Sequence, residues 1–434
     1  MARKGMIGMS QHPLVEALRE FAPYVHAHHG RTFVLSIPGE ALLREGRRAL
    51  IYDIALLRSL GVRIVLVHGA RPQIEARLQA EQCHCEVVDG LRVTSTAAMT
   101  SVAAAVGAVR MELEALLSTG VASSPMGGAR IEVTGGNWVV ARPVGIRQGV
   151  DFQHTGEVRR INVAPIQAAL DRGAIALLSP AGYSPTGEAF NLLAEEVALK
   201  AAVALRADKL VYLHPEPSAA TPNQWSLATA REQLAHTPDD ALFRAAVEAA
   251  EAGVPRVHVV SAQSDGALLT ELYTRDGIGR MIAADGYDAA RPARIDDVGG
   301  ILQLIEPLER QGVLVPRSRE QLELDIHRFL VMTRDNMVIG CCALMPYPEE
   351  RMGEIACIVV HPDYQREGRA DMLLRQAEER ARSEGLERVM ALTTHTPHWF
   401  VEHGFTQADV SSLPVQKQAL YNLQRNSKVF VKTL

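Results

Sequence analysis

The sequence predicts an α/β protein in two parts: a mainly parallel sheet covered by helices, followed by a smaller α+β domain. Three observations predict it. The chain has 434 residues, which at roughly 150 residues per domain allows two or three domains. From Thr32 to about Ile282, short apolar stretches alternate with helical ones, the pattern of strands buried on both faces. Beyond the polar, breaker-containing stretch Asp285-Gly286-Tyr287-Asp288-Ala289-Ala290-Arg291-Pro292, the order of elements changes. On this reading residues 1–30 are an N-terminal helix or arm, 31–285 the first domain, 286–294 a linker and 295–434 the second domain.

Residues 11–30 place Leu14, Leu18, Phe21 and Tyr24 at helical spacing, an amphipathic helix. Thr32–Ile37 is a strand, and Ala41–Leu60 a helix stopped by Gly61. Arg63–Val67 is the next strand, turning through His68-Gly69-Ala70-Arg71-Pro72 into a further helix. An Ala-rich helix covers about Ser95–Ser118, and Trp138–Ala141 suits a strand of an inserted hairpin. Ile175–Leu178, Lys209–Leu213 and Arg256–Val260 read as buried strands, with helices around Leu193–Leu205, Asp240–Glu251 and Gly266–Tyr273. In the second domain, helices at Ile295–Arg310 and Arg319–Leu324 precede antiparallel strands Phe329–Thr333 and Val338–Met345, joined at Asp335-Asn336. Strand Glu354–Val360, helix Arg369–Ser383, strand Arg388–Thr393, a short helix near His398–Glu402 and strand Val429–Lys432 complete it.

Composition narrows the function classes. The chain is 47% hydrophobic and 22% charged, ordinary for a globular protein, which excludes disorder over most of its length. A formal charge of −5 gives no global case for nucleic acid. No apolar run approaches membrane-spanning length, and the N-terminus lacks a signal-like core, so no membrane partner and a cytoplasmic location are expected. Five scattered cysteines argue against a disulfide framework and for a reducing compartment. Cys83-His84-Cys85 offers too few ligands for zinc; Cys341 and Cys342 suit core packing, as do Trp399 and Phe400; no metal is expected.

The most informative segment is Cys357-Ile358-Val359-Val360-His361-Pro362-Asp363-Tyr364-Gln365-Arg366-Glu367-Gly368-Arg369-Ala370. An apolar strand and a Pro-led turn lead to Gln365-x-x-Gly368-x-Ala370, which opens a helix. Small residues let backbone approach a ligand, and free N–H groups at a helix start suit a pyrophosphate. Arg366 and Arg369 could add charge. This pattern resembles the acetyl-CoA motif of the GNAT acetyltransferases, and the order of elements over 293–434 fits that fold. The resemblance implies acetyl-CoA as co-substrate, with no tightly bound cofactor. Cys357, Ile358 and Val359 would bond its pantetheine arm, Gln365, Arg366, Glu367, Gly368, Arg369 and Ala370 its pyrophosphate. The acetyl group would lie between two splayed strands.

The first part resembles the amino acid kinase fold, close to acetylglutamate kinase. Phe33–Glu40, Val67-His68-Gly69-Ala70-Arg71-Pro72, Asn191-Leu192-Leu193-Ala194-Glu195-Glu196, the strand Lys209–Leu213 and Ala267-Leu268-Leu269-x-Glu271-Leu272-Tyr273-x-x-x-Gly277-Ile278-Gly279 carry that likeness. The combination resembles the bacterial N-acetylglutamate synthase family over nearly the whole chain; Pro23–His28, Arg317–Leu322 and Arg425–Lys428 look specific to it. Ser36 stands where the kinases have lysine, Pro38 replaces a glycine, and Ala70 and Arg71 replace glycines of the second loop. Phosphoryl transfer needs cations and backbone donors at the moving phosphate, so the first domain reads as catalytically degenerate.

The resemblance implies transfer of acetyl to the α-amine of L-glutamate, the first step of arginine biosynthesis. Guanidinium groups bind carboxylates well, and Arg317, Arg425 and Ser427 match the family positions that hold glutamate. Glu354, at the start of the splayed strand, is the candidate general base. Thr393 is the candidate general acid, with Tyr421 as its rival. L-Arginine is implied as a feedback effector bound by Tyr24, Lys209, Glu271 and Gly277. A homo-oligomer is expected, and a hexamer built through the N-terminal helix is compatible with residues 11–30. Two other readings stand beside this one: an arginine-binding regulatory protein with a secondary acetyltransferase activity, and a GNAT enzyme acting on another amine such as a protein lysine.

Overall fold

A computed structural model describes residues 13–43, 47–118, 131–215, 223–237, 240–274, 277–284, 290–334, 337–365, 368–394, 396–419 and 427–434. The chain forms two compact units, Met1–Gly286 and Tyr287–Leu434. Among the described residues no helix is long and apolar enough to cross a membrane.

The first unit is built on an eight-stranded sheet. Its strands are β1 (Thr32–Ile37), β2 (Arg63–His68), β3 (Val133–Thr134), β4 (Ile175–Leu178), β5 (Lys209–His214), β6 (Asn223–Ser226), β7 (Arg256–Ser261) and β8 (Arg280–Ala283), in the spatial order β6-β8-β7-β5-β1-β2-β4-β3. All neighbours are parallel except β7 and β8. Both faces are buried, as the continuous apolar runs predict. Val34 and Val65 pack into one core; Phe33, Leu35 and Ile37 pack into the other. A second sheet contains Val139–Pro143, Gly156–Ile161, Ala181–Tyr183 and Ala189–Asn191, so the stretch expected as a hairpin is part of four strands. The helix expected over Ala41–Leu60 is described as Gly39–Leu42 and Arg47–Ser59, with residues 44–46 outside the description. Helix α1 (Pro13–His28) packs Phe21, Tyr24 and Val25 onto the Phe33 core and leaves Leu14 and Leu18 exposed.

The second unit is a seven-stranded sheet between two helices. Strands β9 (Arg291–Pro292), β10 (Phe329–Arg334), β11 (Met337–Tyr347), β12 (Met352–Val360), β13 (Arg388–Thr393), β14 (Thr406–Ala408) and β15 (Lys428–Thr433) lie in the order β9-β10-β11-β12-β13-β15-β14. Only the β12–β13 pair is parallel. Helix α2 (Val298–Arg310) covers one face with Val298, Ile301 and Ile305; α3 (Arg369–Ser383) covers the other with Leu373, Leu374 and Ala377. Part of the linker expected over 286–294 is strand. Arg291 and Pro292 pair with Val331 and Leu330, and the Arg291 guanidinium grips Asp297 with two hydrogen bonds of 2.8 and 2.9 Å. Proline is tolerated there because β9 is an edge strand.

Candidate active site

The site in the second unit is made by two departures from regular sheet. The first is a divergence. Strands β12 and β13 pair only at Met352↔Arg388, Gly353↔Val389 and Glu354↔Met390, although they continue to Val360 and Thr393. Beyond Glu354 the two strands part, which leaves backbone groups of β12 facing a gap. Unpaired N–H and C=O groups on such an edge can take the amides of an extended ligand. The second departure is a bulge. Cys341 pairs with Val359 and Ala343 with Ala356, so Cys342 opposes both Cys357 and Ile358. Cys357 takes φ of +50°, the left-handed region that a β-carbon disfavours. A strained non-glycine residue of this kind costs about 1–3 kcal/mol and is characteristic of functional sites.

Side chains converge on that gap. Glu354 is buried, and its Oε2 is held by Lys417 Nζ at 2.7 Å and by the Tyr347 hydroxyl, which donates at 3.4 Å. Oε1 has no hydrogen bond among the described residues. Burial and the Glu354 charge push Tyr347 up to about 12, so its hydroxyl remains a donor. The Arg317 guanidinium donates to the Cys357 sulfur and lies 6.0 Å from the Phe329 ring centroid, while its backbone N–H donates to Glu309 at 3.0 Å. Burial raises the Cys357 thiol despite Arg317 beside it, so the sulfur stays protonated. Thr393 lies three residues beyond Met390, as Cys357 lies three beyond Glu354, so the two stand at matching levels on either side of the divergence. The Thr393 hydroxyl accepts the Thr396 N–H at 3.1 Å. Ser427 is buried next to the Thr393↔Lys428 pair, at the same end of the sheet. Arg425 and Tyr421 lie outside the described residues, as do Arg366 and Glu367.

The loop leading to α3, expected to hold a pyrophosphate, ends on a glycine cap and is braced by an arginine. Gly368 caps α3 with φ of +72°, and the first N–H groups of a 15-residue helix follow it. Gln365 ties the loop to β12 by donating to the Val360 carbonyl at 3.1 Å, and Ala370 packs partly against the core. Arg369 was expected to add positive charge at a pyrophosphate. Instead its side chain is buried, donates to the Tyr364 carbonyl at 2.9 Å and stacks over the Tyr364 ring. Its guanidinium braces the turn.

The first unit contains a second polar cluster. Glu271 sits on α4 (Ala267–Tyr273), with Oε1 2.6 Å from His258 Nδ1 and Oε2 accepting the Ile278 and Gly279 N–H groups at 2.8 and 2.7 Å. Burial opposes its charge, but His258 and these donors outweigh burial and hold the carboxyl below its ordinary range. Gly277 has φ of +62°, and a β-carbon there would lie 2.5 Å from Glu271 Oε2, so both conformation and space require glycine. From α1, Phe21 stacks on Tyr273 at 4.5 Å, and His28 meets the edges of Phe33 and Tyr273 at 5.1 and 5.2 Å. Tyr24 is 6.3 Å from His28, and Lys209 Nζ is 5.9 Å from the Phe33 ring centroid. Burial, assisted by Lys209 and His258, pushes His28 down to about 3, so it is neutral. His28 Nδ1, His258 Nε2 and the Tyr273 hydroxyl are buried without a hydrogen-bond partner among the described residues. Buried polar atoms are normally satisfied by protein or by water, so three orphans in one cluster call for a water or a polar ligand. Sequence reasoning named Tyr24, Lys209, Glu271 and Gly277 here but missed His28, His258 and Tyr273.

A parallel strand pair that opens beside a bulge, followed by a glycine-capped helix, defines a GNAT-class acetyltransferase that uses acetyl-CoA as co-substrate, here behind an amino acid kinase-like domain. Comparison with known proteins agrees. The Amino acid kinase family matches residues 31–261, and the Acetyltransferase (GNAT) family residues 300–405. An amino-acid acetyltransferase of Azotobacter vinelandii is 49% identical over 97% of this chain and 99% of its own length. One from Pseudomonas aeruginosa is 47% identical over 97% and 99%. A crystal structure of N-acetylglutamate synthase from Neisseria gonorrhoeae, complexed with coenzyme A and L-arginine, superposes with a TM-score of 0.87 at 36% identity, covering 98% of this chain and 100% of that one. The same synthase complexed with coenzyme A and N-acetyl-glutamate gives a TM-score of 0.62. The chain belongs to the amino-acid acetyltransferase family.

Proposed function

We propose that the enzyme transfers the acetyl group of acetyl-CoA to the α-amine of L-glutamate, and that L-arginine bound in the first unit lowers this activity. The observation that carries the acetyl transfer is Glu354, a carboxylate anchored through one oxygen and open at the other where β12 and β13 part. The α-ammonium of the substrate gives a proton to Glu354, and the free amine attacks the thioester carbonyl. The C–N bond forms, the C–S bond breaks, and the thiolate takes a proton from Thr393 or Tyr421. The proton that the acylated nitrogen then sheds restores that hydroxyl, while the first stays on Glu354 until it passes to water. Arg317, Arg425 and Ser427 hold the two carboxylates of glutamate. The coenzyme A and N-acetyl-glutamate complex of the Neisseria synthase supports the same substrate pair here.

Thiol release measured over a panel of L-glutamate, free L-lysine and a lysine peptide tests this reading. Turnover should be confined to glutamate; faster turnover on either lysine substrate overturns it. Arg425→Ala should raise the glutamate KM about tenfold, since a charge-assisted contact is worth about 1.5–3 kcal/mol, while the acetyl-CoA KM stays constant. An unchanged glutamate KM would remove Arg425 from the carboxylate site.

The first domain is read as a kinase fold without phosphoryl transfer. Ser36 is buried in place of a cation, and the two glycine-containing loops fill each other's space. A β-carbon on Gly69 would lie 2.9 Å from Gly39 N, and the Gln73 amide donates to the Gly39 carbonyl at 2.8 Å. Incubation with ATP, magnesium and N-acetylglutamate should yield no acyl phosphate above background, and sustained turnover would refute the reading. Exposed Leu14 and Leu18 on α1 support self-association through that helix.

A further inference from the structure

We propose that Lys417, a residue of the short helix α5 (Val415–Ala419), is the positioning residue of the catalytic base: it holds Glu354 through Oε2 so that Oε1 meets the substrate amine. The inference rests on Glu354 acting as the base.

Three observations carry it. The Lys417–Glu354 contact is 2.7 Å, and the side chains are only 25% and 10% exposed, so it is a partly dehydrated ion pair rather than a surface one. Its second partner, Tyr347, reaches the same oxygen, from the strand diagonal to Glu354 in the β11–β12 register. Both donors therefore load Oε2 and leave Oε1 without a hydrogen bond among the described residues. A carboxylate that must accept a proton in one direction benefits from this asymmetry, because its rotation is fixed while one lone-pair face stays open.

The lysine is itself fixed. Leu413 is buried against Met352, Met390 and Val429, the residues around the start of the β12–β13 divergence. Val415 N–H donates to Glu350 at 3.2 Å, and the Gln418 amide donates to the Leu413 and Ser411 carbonyls at 2.7 and 3.2 Å. Leu413 and Val415 thereby tie the segment that carries Lys417 to the start of β12 and the turn before it. Lys417 is the cation paired with Glu354 among the described residues.

Steady-state kinetics of four full-length variants test the proposal. Lys417→Met should lower kcat about tenfold or more with the acetyl-CoA KM unchanged, and Lys417→Arg should recover most of that loss, since a guanidinium restores the cation. In a Glu354→Gln background, adding Lys417→Met should cause no further loss, because a residue acting through Glu354 has nothing left to position. Wild-type kcat in Lys417→Met, or a full additional tenfold loss in the double variant, overturns the proposal. If Glu354→Gln alone retains near wild-type turnover, the base assignment fails first. Should Lys417→Met not fold, judged by circular dichroism, the Arg variant still decides: a loss as large as that of Glu354→Gln would show that charge at this position does not suffice.

Discussion

Replacing Glu354 by glutamine is expected to lower kcat by about 10²–10⁴, the usual worth of a positioned general base. The α-ammonium of an amino acid cannot attack a thioester until it loses a proton, and glutamine cannot take one. The acetyl-CoA KM should stay within about twofold, because the groups expected to hold the coenzyme are backbone atoms of β12 and the start of α3. Glutamine preserves the volume and can still accept from Lys417, so the fold should survive; the variant's thermal transition checks this. Residual turnover within threefold of the parent would exclude Glu354 as the base and point to a water or another side chain.

Much of the scaffold around this gap was legible in the sequence, and the reason is physical. Helix Arg369–Ser383 and strand Arg388–Thr393 lie where periodicity placed them, because Gly368 caps the helix and a buried strand reads as an apolar run. Strands Asn223–Ser226, Arg280–Ala283 and Thr406–Ala408 went unread. They are short, and two of them are edges of their sheets, so partners define them more than their own pattern does. The bulge was equally silent. A left-handed residue usually announces itself as glycine, and here it is Cys357, held by the sheet around it. Pairings distant in sequence leave no local trace either: Lys417 with Glu354, or His28 on α1 with Tyr273 on α4. Arg369 shows the converse: a motif position does not say where a side chain goes. Its position in a phosphate-binding motif suggested a ligand contact, whereas its side chain folds inward onto Tyr364.

Arginine is expected to inhibit acetyl transfer by several-fold to about 150-fold, and Glu271→Ala and Lys209→Met should each abolish that inhibition. A ligand changes a distant activity only through a difference in affinity between two conformations, and such couplings are typically about 1–3 kcal/mol. The cluster on the first unit has the chemistry to bind the effector. On the proposed reading the buried anion Glu271 meets the guanidinium and Lys209 the α-carboxylate, and His28, His258 and Tyr273 offer three polar atoms unsatisfied among the described residues. Since His28 and Tyr24 ride on α1, a ligand seated there bears on the helix itself. Glu271→Ala also orphans His258 Nδ1 and the Ile278 and Gly279 N–H groups, so local loosening could mimic lost recognition. Lys209→Met separates the two, because none of those hydrogen bonds involves Lys209. Isothermal titration of the full chain with arginine, alongside acetyl transfer at fixed substrate, supplies the measurement. Undiminished inhibition in Lys209→Met would move the effector elsewhere; absence of arginine binding by the parent chain at millimolar concentration would remove the sensing role from the first unit.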